Sequence, residues 1–457
     1  MRDNVAVIGA GISGLSAAVK LFSKGHEVDV FEAGERIGGA VRTSHSEGYM
    51  AEHGPNSLLL KDQRVSLLLE QIGLMRQEVV DANPLANKRY IVQDGQAIAM
   101  PSSPMGMLKS PLFSGKGKLR FALEPFIGKY KGAELETFAD FVTRRLGPDM
   151  LASAAGPFVS GIYAGDPDRL AIKYAFPRLW NLEDKYGSFI RGAIAMQLGA
   201  GGDPNKIKKS RMISFRRGMQ ALPEAMAEFL AEDTVITKAK VLGIKKQDGG
   251  WQLTISHDGG EPMSHVYKHI VIAVPHHKLA EVPIENVDAA ALPTIVNMDT
   301  PPVTSLFLGF KKSQCKHELD GFGMLVKLAE KSPILGALFS STLFEKRAPK
   351  DHIAITTMMG GMRNPQFAQL DDDELLETAL AELRKILKIE GNPTFMRIQR
   401  WDKAIPQYTR SYPQVLQAIE KIEANAPGIH LLGNYRGGIS VGDCLVNGIQ
   451  LAEKISS

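Results

Sequence analysis

Apolar residues are spaced differently along the chain, and each spacing predicts a different element. Nearly unbroken apolar runs occur at Val5-Ala6-Val7-Ile8, at residues 269–275 and at residues 429–432. Runs without polar alternation suit strands buried on both faces, most often in parallel sheet. The run at 269–275 is therefore expected to return the chain to the sheet begun at Val5. Between Ile12 and Lys24 the spacing is helical, and Val28-Asp29-Val30-Phe31 follows as a second strand ending in Glu32. The chain opens as strand, helix, strand.

Helical spacing also marks residues 61–73, where Val65, Leu68, Leu69 and Ile72 fall on one face, and residues 219–231. Residues 235–236, 241–244 and 251–255 read as strands, with Asp248-Gly249-Gly250 as a turn. Residues 90–92 and 97–99 bracket Asp94-Gly95, a hairpin signal. Strands at 303–310, 353–359 and 395–399, with a helix near 372–387, predict a second, α+β unit. From Pro101 to about Lys209 helical patterns dominate, broken by proline and glycine. There Met105, Met107, Leu108, Leu112 and Phe113 sit beside Lys109, Lys116, Lys118 and Arg120. This predicts a separate, mainly helical subdomain. Its apolar residues suit either a core or a surface that rests on a membrane without spanning it.

Composition narrows the class. At 457 residues the chain is long enough for about two or three domains. Apolar residues at 44% and charged residues at 23% fit a globular protein. A net charge of +4 and the lack of a recognisable motif argue against a nucleic-acid partner. No window of about eighteen apolar residues predicts a membrane-spanning helix. Cys315 and Cys444 are far apart and in no CxxC, which excludes a disulfide scaffold and a cysteine zinc site and fits a reducing, cytoplasmic compartment. Adjacent His276 and His277 read as loop residues after a strand, and no metal site is expected. The basic run from Lys206 to Arg211, with Arg216 and Arg217, reads as a solvated face.

Glycine carries the chemistry. Gly9-Ala10-Gly11-Ile12-Ser13-Gly14 lies between the first strand and the first helix. Gly9 permits a tight turn, Gly11 lets backbone N–H groups approach a pyrophosphate, and Gly14 lets helix and strand pack closely. Phosphates are expected on the helix N-terminus. Glu32 lies eighteen residues past Gly14, the spacing of an acid that accepts a ribose hydroxyl, and Ala33 follows it. Gly38-Gly39, between Arg36 and Arg42, marks a second approach of backbone to an anion, which suits a cofactor gripped from both sides. Gly54-Pro55-Asn56-Ser57 is a rigid turn, and residues 437–443 repeat the glycine-loop-then-helix logic near the C-terminus.

In this order, these pieces resemble the flavin-containing amine oxidase and protoporphyrinogen oxidase superfamily over nearly the whole chain. Several stretches resemble its porphyrinogen oxidase branch: Gly54-Pro55-Asn56-Ser57, Gly161-Ile162-Tyr163-Ala164-Gly165-Asp166-Pro167, residues 401–408 and residues 433–438. The resemblance implies non-covalent FAD, a porphyrinogen substrate oxidised in successive two-electron steps within haem biosynthesis, and dioxygen as electron acceptor. The hydride would pass to FAD and peroxide would form. Protoporphyrinogen IX is the expected substrate. Coproporphyrinogen III, an amine or carotenoid-type substrate, and a flavin-free partner-binding protein are the alternatives.

The fold class implied is α/β plus α+β. A Rossmann-like FAD domain would span 1–85, 205–285 and 400–457, and a substrate domain 86–100 and 286–399. A helical domain at 101–204 would rest peripherally on the inner face of the cell membrane. By the resemblance, Gly9 to Gly14 hold the pyrophosphate, Glu32 the ribose, and Val241 the adenine. Arg42 and Gly54 to Ser57 lie along the flavin, and Trp401, Ile439, Ser440 and Val441 contact it. Lys61, Arg89 and Arg178 are candidates for the substrate's carboxylates. Asn56 stands where some members of the branch carry a basic residue, and the stretch Ser214-Phe215-Arg216-Arg217-Gly218-Met219-Gln220 has an arginine where the family usually has a glycine. No acid or base residue is named, and the sequence does not give the oligomeric state.

Overall fold

In a computed structural model that describes residues 3–197, 205–285 and 290–457, Asn4–Ile8 is the central strand of five. The sheet order is Val235–Ile236, Glu27–Phe31, Asn4–Ile8, His269–Ile272, Ile429–Leu431, and every pairing is parallel. The apolar run at 269–275 thus lies beside the first strand, Val5 opposite His269 and Ile8 opposite Ile272. The chain leaves Asn4–Ile8 toward Glu27–Phe31 on one side and later returns on the other. That reversal opens a crevice beyond the carboxyl ends of Asn4–Ile8 and His269–Ile272, where open parallel sheets bind ligands.

The first helix, Ile12–Ser23, buries Leu15, Ala17, Ala18, Val19 and Leu21. Its small residues let the C-terminal helix, Val441–Ile455, cross it closely. A Cβ at Gly448 would stand 2.0 Å from Ser16 Oγ.

A seven-stranded sheet forms the second core. Its order is Phe395–Trp401, Val303–Lys311, His352–Gly360, Ile334–Leu338, Gly321–Val326, Lys88–Gln93, Gln96–Ala99. The Asp94-Gly95 hairpin forms its edge, both residues at positive φ. Helix Asp372–Leu387, capped by Asp371, buries Leu375, Leu380 and Leu383 against it. The strand from Phe395 runs past 399 to Trp401, so the boundary expected at 399/400 falls inside a strand. Trp401 is carried by this sheet, opposite Val303.

Helices dominate residues 104–197. The sequence missed several strands, among them the hairpin Thr43–Ser46 with Tyr49–Glu52. The basic run at 206–211 is a solvated face, as expected, with Lys206, Lys209 and Arg211 exposed. That run lies within strand Lys206–Phe215, paired with Leu58–Asp62 and Val79–Asp81. His276 is in a 3-10 turn, His276–Glu281, and is buried, rather than in an open loop. Residues 198–204 and 286–289, at two expected boundaries, lie outside the described residues. Among the described residues no helix is long and apolar enough to cross a membrane.

Candidate cofactor site

The crevice at the sheet's switch point is a cleft of about 660 Å³, within the ordinary range for ligand sites. The glycines at its floor have separate jobs. Gly9 holds φ +103°, and a Cβ there would lie 2.8 Å from Ala273 O. A Cβ at Gly14 would lie 2.0 Å from Gly9 O. Both are packing requirements. Gly11 is different: its backbone is extended, and a Cβ there would meet nothing within 4 Å. It faces the cleft, so a side chain there would fill the space a ligand needs. Helix Ile12–Ser23 starts at Gly11 with no side-chain cap and no acid in its first turn. Ile12 and Ser13 line the cleft. The helix thus aims free N–H groups and its positive end at the cleft, an anion site by construction.

The second glycine pair closes over the first. Gly38 N–H donates to Ala10 O at 2.8 Å, and Gly39 lies with its Cβ direction 3.3 Å from Gly11 Cα. Arg36 is exposed and donates to Gly39 O at 2.9 Å. Arg42 is exposed next to the glycine pair. Glu32 accepts from Ala10 N–H and from Gly34 N–H, each at 2.9 Å. Those bonds fix its carboxylate at the cleft edge with lone pairs left for a hydroxyl. Ala33, Lys240 and Val241 line the same end. Lys240 and Lys278 were missed by sequence reasoning, since exposed lysines there carry no motif.

At the other end, Pro55, Gly433, Asn434, Ile439 and Val441 line the cleft. A Cβ at Gly54 would lie 2.2 Å from Ala40 O, which seats this turn on the loop before it. Asn56 Nδ2 donates to Gly54 O at 3.1 Å, and Ser57 is half-buried beside it. Trp401 Nε1 donates to His53 O at 3.1 Å, bringing the seven-stranded sheet to this end. Ser440 caps the C-terminal helix by accepting from Asp443 N–H at 3.1 Å. Beneath lies a buried pair that the sequence missed: Arg347 Nη1 is 2.9 Å from Glu52, both nearly inaccessible, with Arg347 Nη2 on Ser214 Oγ at 2.6 Å.

The structure brings none of the proposed carboxylate cations to the lining of this cleft. Lys61 is paired with Asp443 at 2.7 Å, so its charge is already balanced. Arg89 is exposed, its guanidinium 5.4 Å from the ring centre of Phe322. Arg178 is exposed on helix Pro177–Tyr186. Separation in sequence carried no information about these positions.

Cys444 lines the cleft but is buried, and burial pushes its thiol up to about 11. A neutral thiol is a poor nucleophile. Acid precipitation should therefore release all of the flavin into the supernatant. Yellow colour retained in the pellet would contradict this.

The chain matches the model of the "Flavin containing amine oxidoreductase" family over residues 12–456. It is 34% identical to protoporphyrinogen oxidase 2 of Arabidopsis thaliana, over 99% of this chain and 94% of that one. It is 25% identical to coproporphyrinogen III oxidase of Bacillus subtilis, over 98% and 96%. A crystal structure from Exiguobacterium sp. 255-15, 23% identical, superposes with a TM-score of 0.81 over 100% of this chain and 99% of that one. A flavin on a site built for a dinucleotide is FAD. The chain belongs to the flavin-containing amine oxidoreductase family.

Proposed function

We propose that this protein oxidises protoporphyrinogen IX to protoporphyrin in haem biosynthesis, with dioxygen as the electron acceptor. The observation that carries the reading is full-length identity of 34% to a protoporphyrinogen oxidase, against 25% to a coproporphyrinogen III oxidase.

Bound FAD supplies the hydride acceptor. The chain's own residues bind and orient. Gly9 to Gly14 and Gly38-Gly39 would hold the pyrophosphate from two sides, with Arg36 and Arg42 at the rim. Glu32 would take the ribose hydroxyls and Ala33 and Val241 the adenine end. Gly54, Pro55, Asn56, Ser57 and Trp401 would border the flavin ring. Ile439, Ser440 and Val441 would point the start of the C-terminal helix at it, favouring negative charge there.

The helical segment is proposed to rest on the inner face of the cell membrane. Phe126, Leu119, Met105 and Leu108 are exposed at 79%, 62%, 61% and 59%, with Lys109, Lys116 and Lys118 in the same stretch. Apolar residues beside lysines suit an anionic lipid surface. Flotation with anionic liposomes tests it, and protein left wholly in the aqueous fraction would refute it. For the reaction, anaerobic mixing with each porphyrinogen, then oxygen, should give porphyrin fluorescence faster with protoporphyrinogen. Equal or faster turnover of coproporphyrinogen would reverse the assignment, and no rate above the spontaneous one with either would sink it.

A further inference from the structure

Tyr408 and Tyr412 stack with ring centroids 4.0 Å apart and planes 18° from parallel. They are 1% and 3% exposed, and both hydroxyls end on one loop. Tyr408 Oη donates to Asn434 O at 2.7 Å and accepts from Gly438 N–H at 3.0 Å. Tyr412 Oη donates to Tyr435 O at 3.0 Å and accepts from Gly437 N–H at 3.3 Å. Each hydroxyl thus bonds a carbonyl early in the loop and an N–H late in it. The loop joins strand Ile429–Leu431 to helix Val441–Ile455, with Gly437 and Gly438 at φ +80° and +133°. Those glycines allow the turn but do not hold it. The hydroxyls do.

We propose that Tyr408 and Tyr412 are positioning residues, a clamp that sets the loop at 434–440 against the flavin ring and so tunes the preference for reduced over oxidised flavin. Reduced flavin carries more negative charge, and donors fixed before the electrons arrive stabilise it without reorganising. Phenylalanine would stack equally well but would leave two N–H groups and two carbonyls of this loop without those partners. Burial raises both phenols, so the donors stay protonated. The clamp also touches the helical segment: Tyr163 lies 6.2 Å from Tyr408, Tyr174 lies 5.2 Å from Tyr412, and Ala171 N–H donates to Tyr408 O at 2.8 Å. These contacts join the helical segment to the tyrosine pair.

The inference rests on seating the flavin at 439–441. Full flavin retention in Gly11→Val would dispute the cofactor placement itself, whereas unchanged tyrosine variants beside a flavin-free Gly11→Val would dispute the clamp alone. The test uses the full-length holoenzyme as Tyr408→Phe, Tyr412→Phe and the double variant. The measurements are the two-electron midpoint potential, the Kd for FAD and the apoprotein Tm. Tyr408→Phe should lose about tenfold in preference for reduced flavin, a fall of about 30 mV in potential. Tyr412→Phe, with its longer accepting bond, should shift less, and the double variant more. Flavin shed with the apoprotein Tm intact would also support the clamp. Potentials equal to wild type in all three variants would overturn it. So would flavin loss accompanied by an equal fall in apoprotein Tm, the mark of a general packing defect.

Discussion

Gly11→Val should purify without flavin yet keep the apoprotein Tm. The position has ordinary extended backbone, so valine fits the fold, and its Cβ meets open space. That space is the cleft against the start of helix Ile12–Ser23. Valine there would push a pyrophosphate off the helix N–H groups. Losing charge-assisted hydrogen bonds and the helix-end contact should cost about 4 kcal/mol, roughly a thousandfold in Kd. Gly9→Val is the control. It forces a side chain onto φ +103° and against Ala273 O at 2.8 Å, so it should lower the apoprotein Tm itself. Titration of each apoprotein with FAD, read by flavin fluorescence, separates the two. A fully flavinated Gly11→Val protein would move the pyrophosphate elsewhere.

Arg145→Leu should destabilise the helical segment by about 3–5 kcal/mol, the cost of leaving a buried charge without its partner. Arg145 is fully buried, donating to Glu124 and Glu183, each at 2.9 Å. It also donates to Ile127 O at 3.0 Å and Gly187 O at 2.8 Å. Glu124, also fully buried, gathers Ser188 Oγ at 2.6 Å and the N–H groups of Phe189 and Ile190 at 2.8 and 3.0 Å. One cation therefore ties together segments near 124, 145, 183 and 188. Removing it strands the Glu124 carboxylate in the interior. Urea unfolding should show the loss, and limited proteolysis should cut within residues 104–197 first. Adding Glu124→Leu to Arg145→Leu should recover part of the stability, because the stranded charge goes too. A loss below about 1 kcal/mol would mean that water reaches Glu124.

The sequence alone determined the glycine floor of the cleft. Turn geometry, close packing and N–H access are local demands, and each falls on a particular glycine from Gly9 to Gly14. The apolar run at 269–275 likewise announced its place beside the first strand, because a strand buried on both faces has few places to go. What the sequence left open was whatever depends on partners distant in sequence. Lys61 was read as a cation for substrate, and only the fold brings Asp443, 382 residues away, to its charge. The basic residues 206–211 read as a solvated face and are one, but their place in a strand comes from Leu60 and Asp62, which pair with Arg211 and Lys206. Nothing in the sequence singles out Arg145; the fold places Glu124 and Glu183 around it. Tyr408 ends a stretch that resembles a family and Tyr412 lies beyond it, but only the folded chain puts their hydroxyls on the loop at 434–438. Turn geometry and the close approaches that demand glycine are set within a few residues, so they can be read along the chain. Charge balance and hydrogen-bond partnership are set by whichever groups packing brings within about 3 Å, and that only the tertiary structure decides.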